Sequence, residues 1–510
     1  MDESRLRYRR QFLLSRDIIP QLSNWNCLLL ADRYFVYSHP DSCVTHKEHA
    51  GVRIVLLGSI FDPFHYTKNN EEILGDILEK SDTFDSFLEA IKAYAGQFVF
   101  IYMNNHEVKV IHDALALREV YYCTGANKIV CGSQPNLISL YSNPHLNITS
   151  DKGICRFYEH DINIVRGGRF WVGDETYYEE VKHLLPNHYL EISELEAKRY
   201  WPRQKLPMLE IDEAVHRSCS FLQGILKAAS NRYPLMIAVT GGTDSRALLA
   251  ASREIKENIY YFINKHKALD DRHPDIYIPT AIFDKINLPF HIHNVEGDVD
   301  AKFREIFLSN TFMSTDKLLP AIYNVYYKQH SHRLNILGAG EIGRTRLGHE
   351  PKHPNGYYLA RSLKFKNSPY AVEHCQKWLD GTLPLTRRFG VNVMTLLYWE
   401  QWRGNWGAIG NSESDIAIEE FDPFDSHYLY ETLLGVDKKY TKYGESILFR
   451  EMIKNMWPEL LEFPINPPRK RSDFLILALK KTGLYSGLKS LAYKADWVIF
   501  KLMQKWHSSQ

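Results

Sequence analysis

The sequence predicts a chain in two parts: an α+β part over residues 1–205, then over residues 206–510 a doubly wound parallel α/β part with a helical C-terminal portion. Three observations point there. At 510 residues the chain exceeds what one hydrophobic core organises, given roughly 100 to 200 residues per domain. Before residue 205, short β-patterned runs alternate with turn residues. Beyond it, apolar strand runs and helical patterns take turns, as parallel βαβ units require.

In the first part the strand candidates are LLLADRYFVYS from Leu28, VRIVLLGSI from Val52, QFVFIYM from Gln97, VKVIHDA from Val108 and KIVCGS from Lys128, all rich in β-branched or aromatic residues. Between them, NEEILGDILEK from Asn70 and FDSFLEAIKAYAG from Phe84 place apolar residues at helical spacing. The stretch from Asp174 to Ile192 predicts a strand pair turning at Pro186-Asn187, and RYWPRQKLP at 199–207 predicts a linker. The second part then runs helix IDEAVHRSCSFLQGILKAAS, strand LMIAVT at 235–240, helix SRALLAASREI, strand NIYYFIN at 258–264, helix DIYIPTAIFDKIN and strand FHIHNV at 290–295. A fourth strand, LNILGA from Leu334, follows two more helical patterns, and the rest predicts helices.

Apolar residues at 45% and charged residues at 24% exclude a disordered chain. With 62 Lys plus Arg against 61 Asp plus Glu, no global field favours nucleic acid or an anionic surface. The seven cysteines are odd in number, scattered and never spaced C-x-x-C, which argues against a disulfide framework or structural zinc and for a reducing cytosol. The amino terminus is charged from its second residue, unlike a secretory signal, and no apolar run approaches the roughly 18 residues that span a bilayer. A cytoplasmic location is therefore expected.

The segment Thr240-Gly241-Gly242-Thr243-Asp244-Ser245-Arg246 lies between a strand and a helix start, where free N–H groups and the helix dipole attract an anion. Phosphate is the expected ligand. Gly241 and Gly242 let the backbone approach closely, Thr240 and Ser245 offer hydroxyl donors, and Asp244 is suited to hold Mg²⁺ against the phosphates. The same residues would also serve an ordinary strand-to-helix turn. This loop is neither G-x-x-x-x-G-K-[ST] nor G-x-G-x-x-G.

This loop resembles the S-G-G-x-D-S loop of the ATP pyrophosphatases, which cut ATP between the α and β phosphates, with Thr240 for the usual Ser and Thr243 for an aliphatic residue. Other segments follow the order found in the asparagine synthetase family. In the first part they are Ala95 to Phe100, His112 to Tyr122, Gly132-Ser133 and Leu184 to Tyr189; in the second, Gly338 to Arg344, Phe421 to Leu429, Leu448 to Glu451 and Arg469 to Phe474. The resemblance covers nearly the whole chain. It implies an amidotransferase-like αββα domain of the Ntn type, then an ATP pyrophosphatase domain that activates a carboxylate as an acyl-adenylate for attack by ammonia or an amine. ATP and Mg²⁺ would be its cofactors. By the same resemblance Thr240 to Ser245 bind ATP, Asp244 and Glu341 contact Mg²⁺, and Lys470 stabilises charge during catalysis. Gly340 departs from the pattern, standing where the family has Asp.

Class II amidotransferases need a cysteine directly after Met1, and residue 2 is Asp. The first cysteine, Cys27, reads as a small core hydrophobe. Glutaminase activity is therefore expected to be absent, which fits family branches using free amines or closing β-lactams or macrolactams, amidation of a surface polysaccharide, or a non-catalytic scaffold. Glu400 and Arg403 read as an i, i+3 surface ion pair, and the paired histidines at 291/293 and 330/332 as weak evidence for metal. From Arg469 to Lys505 nine Lys or Arg and two Asp alternate with apolar residues; a solvated helical face is favoured there over contact with an anionic membrane or a partner. The expected partners are a small-molecule or polymer carboxylate and an amine or ammonia donor, no nucleic acid is expected, and a homodimer is left open.

Overall fold

The computed structural model describes residues 3–30, 33–104, 107–143, 145–164, 169–348, 350–365, 367–442, 444–468 and residue 479. Within 12–199 lie two six-stranded antiparallel sheets. Period-2 alternation stacks them. Phe12 and Leu14 of one sheet meet Val55, Leu57, Val99 and Ile101 of the other in a shared core, whereas Leu13 faces the opposite way. The alternate residues Ile54, Leu56, Phe98 and Phe100 lie on the outer face of the second sheet, against Ile73 and Ile77 of helix Asn70–Leu78 and Phe87 of helix Phe84–Ile91. Helix Pro135–Tyr141 covers the outer face of the first sheet through Leu137 and Ile138. Both helices on the second sheet begin with capping boxes, Asn69 with Glu72 and Thr83 with Ser86, which satisfy backbone N–H groups that a helix start leaves free.

The second part is built on a five-stranded parallel sheet in the order His291–Asn294, Ile259–Lys265, Leu235–Ala238, Leu334–Ile336, Glu419–Phe421. The chain winds outward in one direction from Leu235–Ala238, then returns to its other side as Leu334–Ile336. Those two strands are neighbours, with Leu235 opposite Leu334 and Ile237 opposite Ile336. Long helix Ile211–Ser230 matches its expected span.

Four expectations change. The run from Leu28 divides between the two strands of a hairpin, Asn26–Leu30 and Tyr34–Ser38. The segments either side of Pro186-Asn187 do not pair: Val181–His183 joins the first antiparallel sheet and His188–Glu191 the second. Asn187 at φ 68° makes the corner between them. Residues 199–207 are no free linker, since Trp201 is 3% exposed, donates to Glu431 at 2.8 Å and packs on Trp399. Strand Glu419–Phe421 was not foreseen; with two glutamates in three residues it shows no strand pattern, and it is held at the sheet edge as Asn335 donates to buried Glu420 at 2.8 Å.

Among the described residues no helix is long and apolar enough to cross a membrane. One apolar cluster runs through both parts, bringing Phe61 to Phe421 at 4.8 Å between ring centroids.

Buried acids lie on both sides of the junction. Burial pushes Glu119 up to about 7 and Glu413 and Glu420 up to about 8. These groups keep protons in the folded chain at pH values where the unfolded chain has released them, so their contribution to stability falls as pH rises toward 8. Burial drives His183 and His188 down to about 4, which has the opposite slope, confined to pH values below their ordinary range near 6.5. The thermal midpoint is therefore expected to fall as pH rises from about 6.5 to about 8.5. A pH series by scanning calorimetry checks this, with Glu413→Gln and Glu420→Gln together flattening the fall; a midpoint still rising at the alkaline end would refute it.

Candidate functional site

In a parallel sheet all strands end on one edge, and where the winding direction reverses, the loops from two neighbouring strands diverge and leave a crevice. Here the reversal lies between Leu235–Ala238 and Leu334–Ile336. The loops leaving those strands are 239–242 and 337–341, which carry the residues singled out from the sequence. The next strand ends at Phe421 and delivers Asp422.

The first loop is closed by its own side chains. Thr240 N donates to Ser245 Oγ at 3.1 Å, the two hydroxyls lie 3.0 Å apart, and Gly242 N donates to Thr240 Oγ1 at 3.1 Å. Gly241 N donates to the Asp275 carboxylate at 3.0 Å, and a Cβ at Gly241 would lie 3.1 Å from the Pro274 carbonyl oxygen. From the other side Asn466 N donates to Gly241 O at 2.9 Å, and its side chain to Thr243 Oγ1 at 3.3 Å. The hydroxyls expected to meet phosphate thus first shape the loop, and an anion, Asp275, already sits on one of its amides. Asp275 was not foreseen; its only trace in the sequence is its place in the first turn of helix Pro274–Ile286.

Asp244, in the first turn of helix Thr243–Ala251, is held by both its oxygens. Arg344 Nε donates to Oδ1 at 3.1 Å and Nη2 to Oδ2. The guanidinium also approaches Ser446 Oγ at 3.5 Å and lies 5.4 Å from the Phe449 ring centroid. Burial pushes the Asp244 carboxyl up to about 7; Arg344 works against that, while Glu341 and Asp422 add to it. Asp422 is fully buried and pushed up to about 6 by burial, with Arg403 3.5 Å away opposing the shift. Around Arg403 burial works against the charge, but Glu341, Tyr398 and Asp422 outweigh it and hold the guanidinium above its ordinary value. Glu341 Oε2 is buried without a hydrogen-bond partner among the described residues.

The structure therefore gathers Thr240 to Ser245 and Glu341 at one crevice and adds Asp275, Arg344, Arg403 and Asp422. Lys470 and the basic stretch from Arg469 lie outside the described residues, apart from residue 479. The Mg²⁺ expectation fits poorly. A divalent ion on Asp244 would compete with a guanidinium for the same two oxygens, and no second carboxylate can come from residue 340. A Cβ there would lie 2.4 Å from Asp244 Oδ1 and 2.7 and 2.9 Å from the Phe449 ring. Among the described residues no group of three or more His, Cys, Asp or Glu converges as a metal cage.

Two further expectations change. Glu400 does not pair with Arg403 on the surface: it is fully buried and takes a two-pronged ion pair from Arg199, with Asn187 and Trp378 donating as well at 3.0 and 2.8 Å. Residues Tyr398–Gly407 wind as a π-helix, and its wider i→i+5 turn carries residues three apart off a common face. Cys27 is exposed on an edge strand and is no core hydrophobe. A cavity of about 370 Å³, lined by His183, His188, Arg199, His374, Lys377 and Trp378 among others, shares no residue with the crevice.

No protein-family model and no curated protein matches the chain. Among solved structures it is similar to the glutamine phosphoribosylpyrophosphate (PRPP) amidotransferase from B. subtilis complexed with ADP and GMP, at 11% identity over 62% of this chain and 90% of that one, with a TM-score of 0.24.

Gly340 is the position where the crevice tolerates least. Gly340→Ala is expected to cost about 1 to 3 kcal/mol through overpacking against Phe449 and the Asp244 carboxylate. Gly410→Ala, whose added carbon meets nothing within 4 Å, serves as the control in the same chemical denaturation series. Equal midpoints for the two variants would refute the packing argument.

Proposed function

We propose that the chain is an ATP-dependent, AMP-forming amide ligase of the asparagine synthetase type. The observation that carries this reading is topological: the two loops that resemble family motifs leave neighbouring strands at the reversal point of a parallel sheet, the place where such sheets bind ligands. The two-sheet first part, with helices on its outer faces, supports an amidotransferase-like partner domain.

In this reading a carboxylate oxygen of the substrate attacks the α-phosphorus of ATP and pyrophosphate leaves. The amine then attacks the acyl carbon, loses a proton, and AMP departs with the bonding pair. The 240–245 loop would meet the phosphates, exchanging its contact with Asp275 for phosphate oxygens. Glu341, with one buried oxygen lacking a partner, would accept the proton from the amine. No step is assigned to Mg²⁺, given the ion pair on Asp244.

A second reading, a non-catalytic scaffold that kept the fold, is favoured by one observation: residue 340 has no carboxylate and Asp244 is already neutralised. Pyrophosphate release separates the two. Purified protein given ATP, with and without Mg²⁺, and a panel of carboxylates with ammonia or amines is expected to release pyrophosphate above background. Persistent silence across the panel, together with no ATP binding, favours the scaffold.

Nitrogen is expected not to come from glutamine, because Cys123, Cys131, Cys219 and Cys375 are buried with thiols pushed up by burial, and Cys27 lies inside strand Asn26–Leu30, where its backbone nitrogen is an amide and no base. Incubation with glutamine should yield no glutamate. Steady release surviving removal of contaminating glutaminases, and lost in Cys27→Ala, would overturn this.

A further inference from the structure

Resting on the ligase reading above, we propose that Arg344 is the resident cation of the nucleotide site: its guanidinium meets the phosphates in place of a divalent ion, and Asp244 is the group that holds it ready. The geometry carries this. The Arg344 side chain is 4% exposed and that of Asp244 14%, so the pair is removed from water, where a guanidinium needs an anion to sit at all. That anion stands in the first turn of the helix whose N-terminus closes the 240–242 loop, so the guanidinium borders the place where a phosphate would lie. Phosphate and carboxylate present the same kind of paired oxygens to a guanidinium fork. An incoming phosphate can therefore take the Nε–H and Nη2–H donors from Asp244, one anion replacing another.

The alternative, a metal held by Asp244 and a neighbouring acid, is opposed from two directions. Gly340 is packed so closely on Asp244 Oδ1 and Phe449 that no second carboxylate fits there. Asp244 and Asp422 are each already met by a guanidinium, Arg344 and Arg403, so a divalent ion at either carboxylate would meet a like charge. Ser446 and Phe449 on further sides fix the Arg344 plane without taking the Nε–H.

The two models give opposite signs for one substitution. Isothermal titration of the full-length protein with ATP is run in EDTA and in excess Mg²⁺. Wild type is expected to bind in both, and Asp244→Asn, which removes the competing negative charge, is expected to bind metal-free ATP about 10-fold more tightly. A metal ligand would lose binding on that change. Arg344→Met is expected to weaken metal-free binding by about 10- to 100-fold, with Arg344→Lys recovering part of it. Since Arg344→Met alone leaves a buried carboxylate unpaired, the Asp244→Asn, Arg344→Met double variant, checked by circular dichroism, carries the same expectation without that charge. ATP binding that requires Mg²⁺, or weaker binding by Asp244→Asn, overturns this inference and leaves the ligase reading standing. No ATP binding by folded protein under either condition overturns both.

Discussion

The strand reversal in the parallel sheet is the constraint from which the crevice follows. Parallel strands must be joined by crossovers of one hand, so the chain can return to the middle of the sheet only by switching sides. The switch leaves Leu235–Ala238 beside Leu334–Ile336, and Asp244, Glu341, Arg344 and Asp422 follow the ends of these strands or of their neighbour Glu419–Phe421. Residues far apart in the chain, Asp244, Arg344 and Asp422, meet there for no reason that operates between them locally.

Burial then sets their chemistry. A carboxylate in bulk water needs no partner, but one enclosed at the base of a parallel sheet must be paired, hydrogen-bonded or protonated. Each solution occurs in this protein. Asp244 and Glu400 are paired in two-pronged contacts with Arg344 and Arg199. Asp422 accepts the Phe424 N–H at 3.0 Å beside Arg403. Glu413 and Glu420 are pushed up to about 8, so both carry protons at neutral pH. The concentration of such groups near the junction ties the two parts together, since Glu119 of the first part takes Ser412 of the second at 2.6 Å, and Arg199 reaches Glu400 across the same boundary.

Much of the fold was legible locally. The β-patterned runs from Val52 and Gln97 lie within strands Val52–Phe61 and Ala95–Asn104, and the helical spacing from Asn70 and Phe84 matches helices Asn70–Leu78 and Phe84–Ile91. The errors share a cause. Val181–His183 and His188–Glu191 look like a hairpin because they are adjacent in sequence, yet the corner at Asn187 sends them to different sheets. Strand Glu419–Phe421 carries two acids and no pattern, so only its neighbour Asn335 identifies it as a strand. Glu400 and Arg403 have the spacing of an α-helical pair but lie in a π-helix.

The sequence by itself determined most of the helices and strands and the loop at residues 240–246, because each depends on the order of apolar, polar and glycine residues along a short stretch. What only the tertiary structure decided is which charge answers which. Asp244 reads as a metal ligand from its loop and becomes the partner of an arginine 100 residues along the chain. Pairing of this kind depends on distance in space and on the exclusion of water, and neither is written into a local pattern.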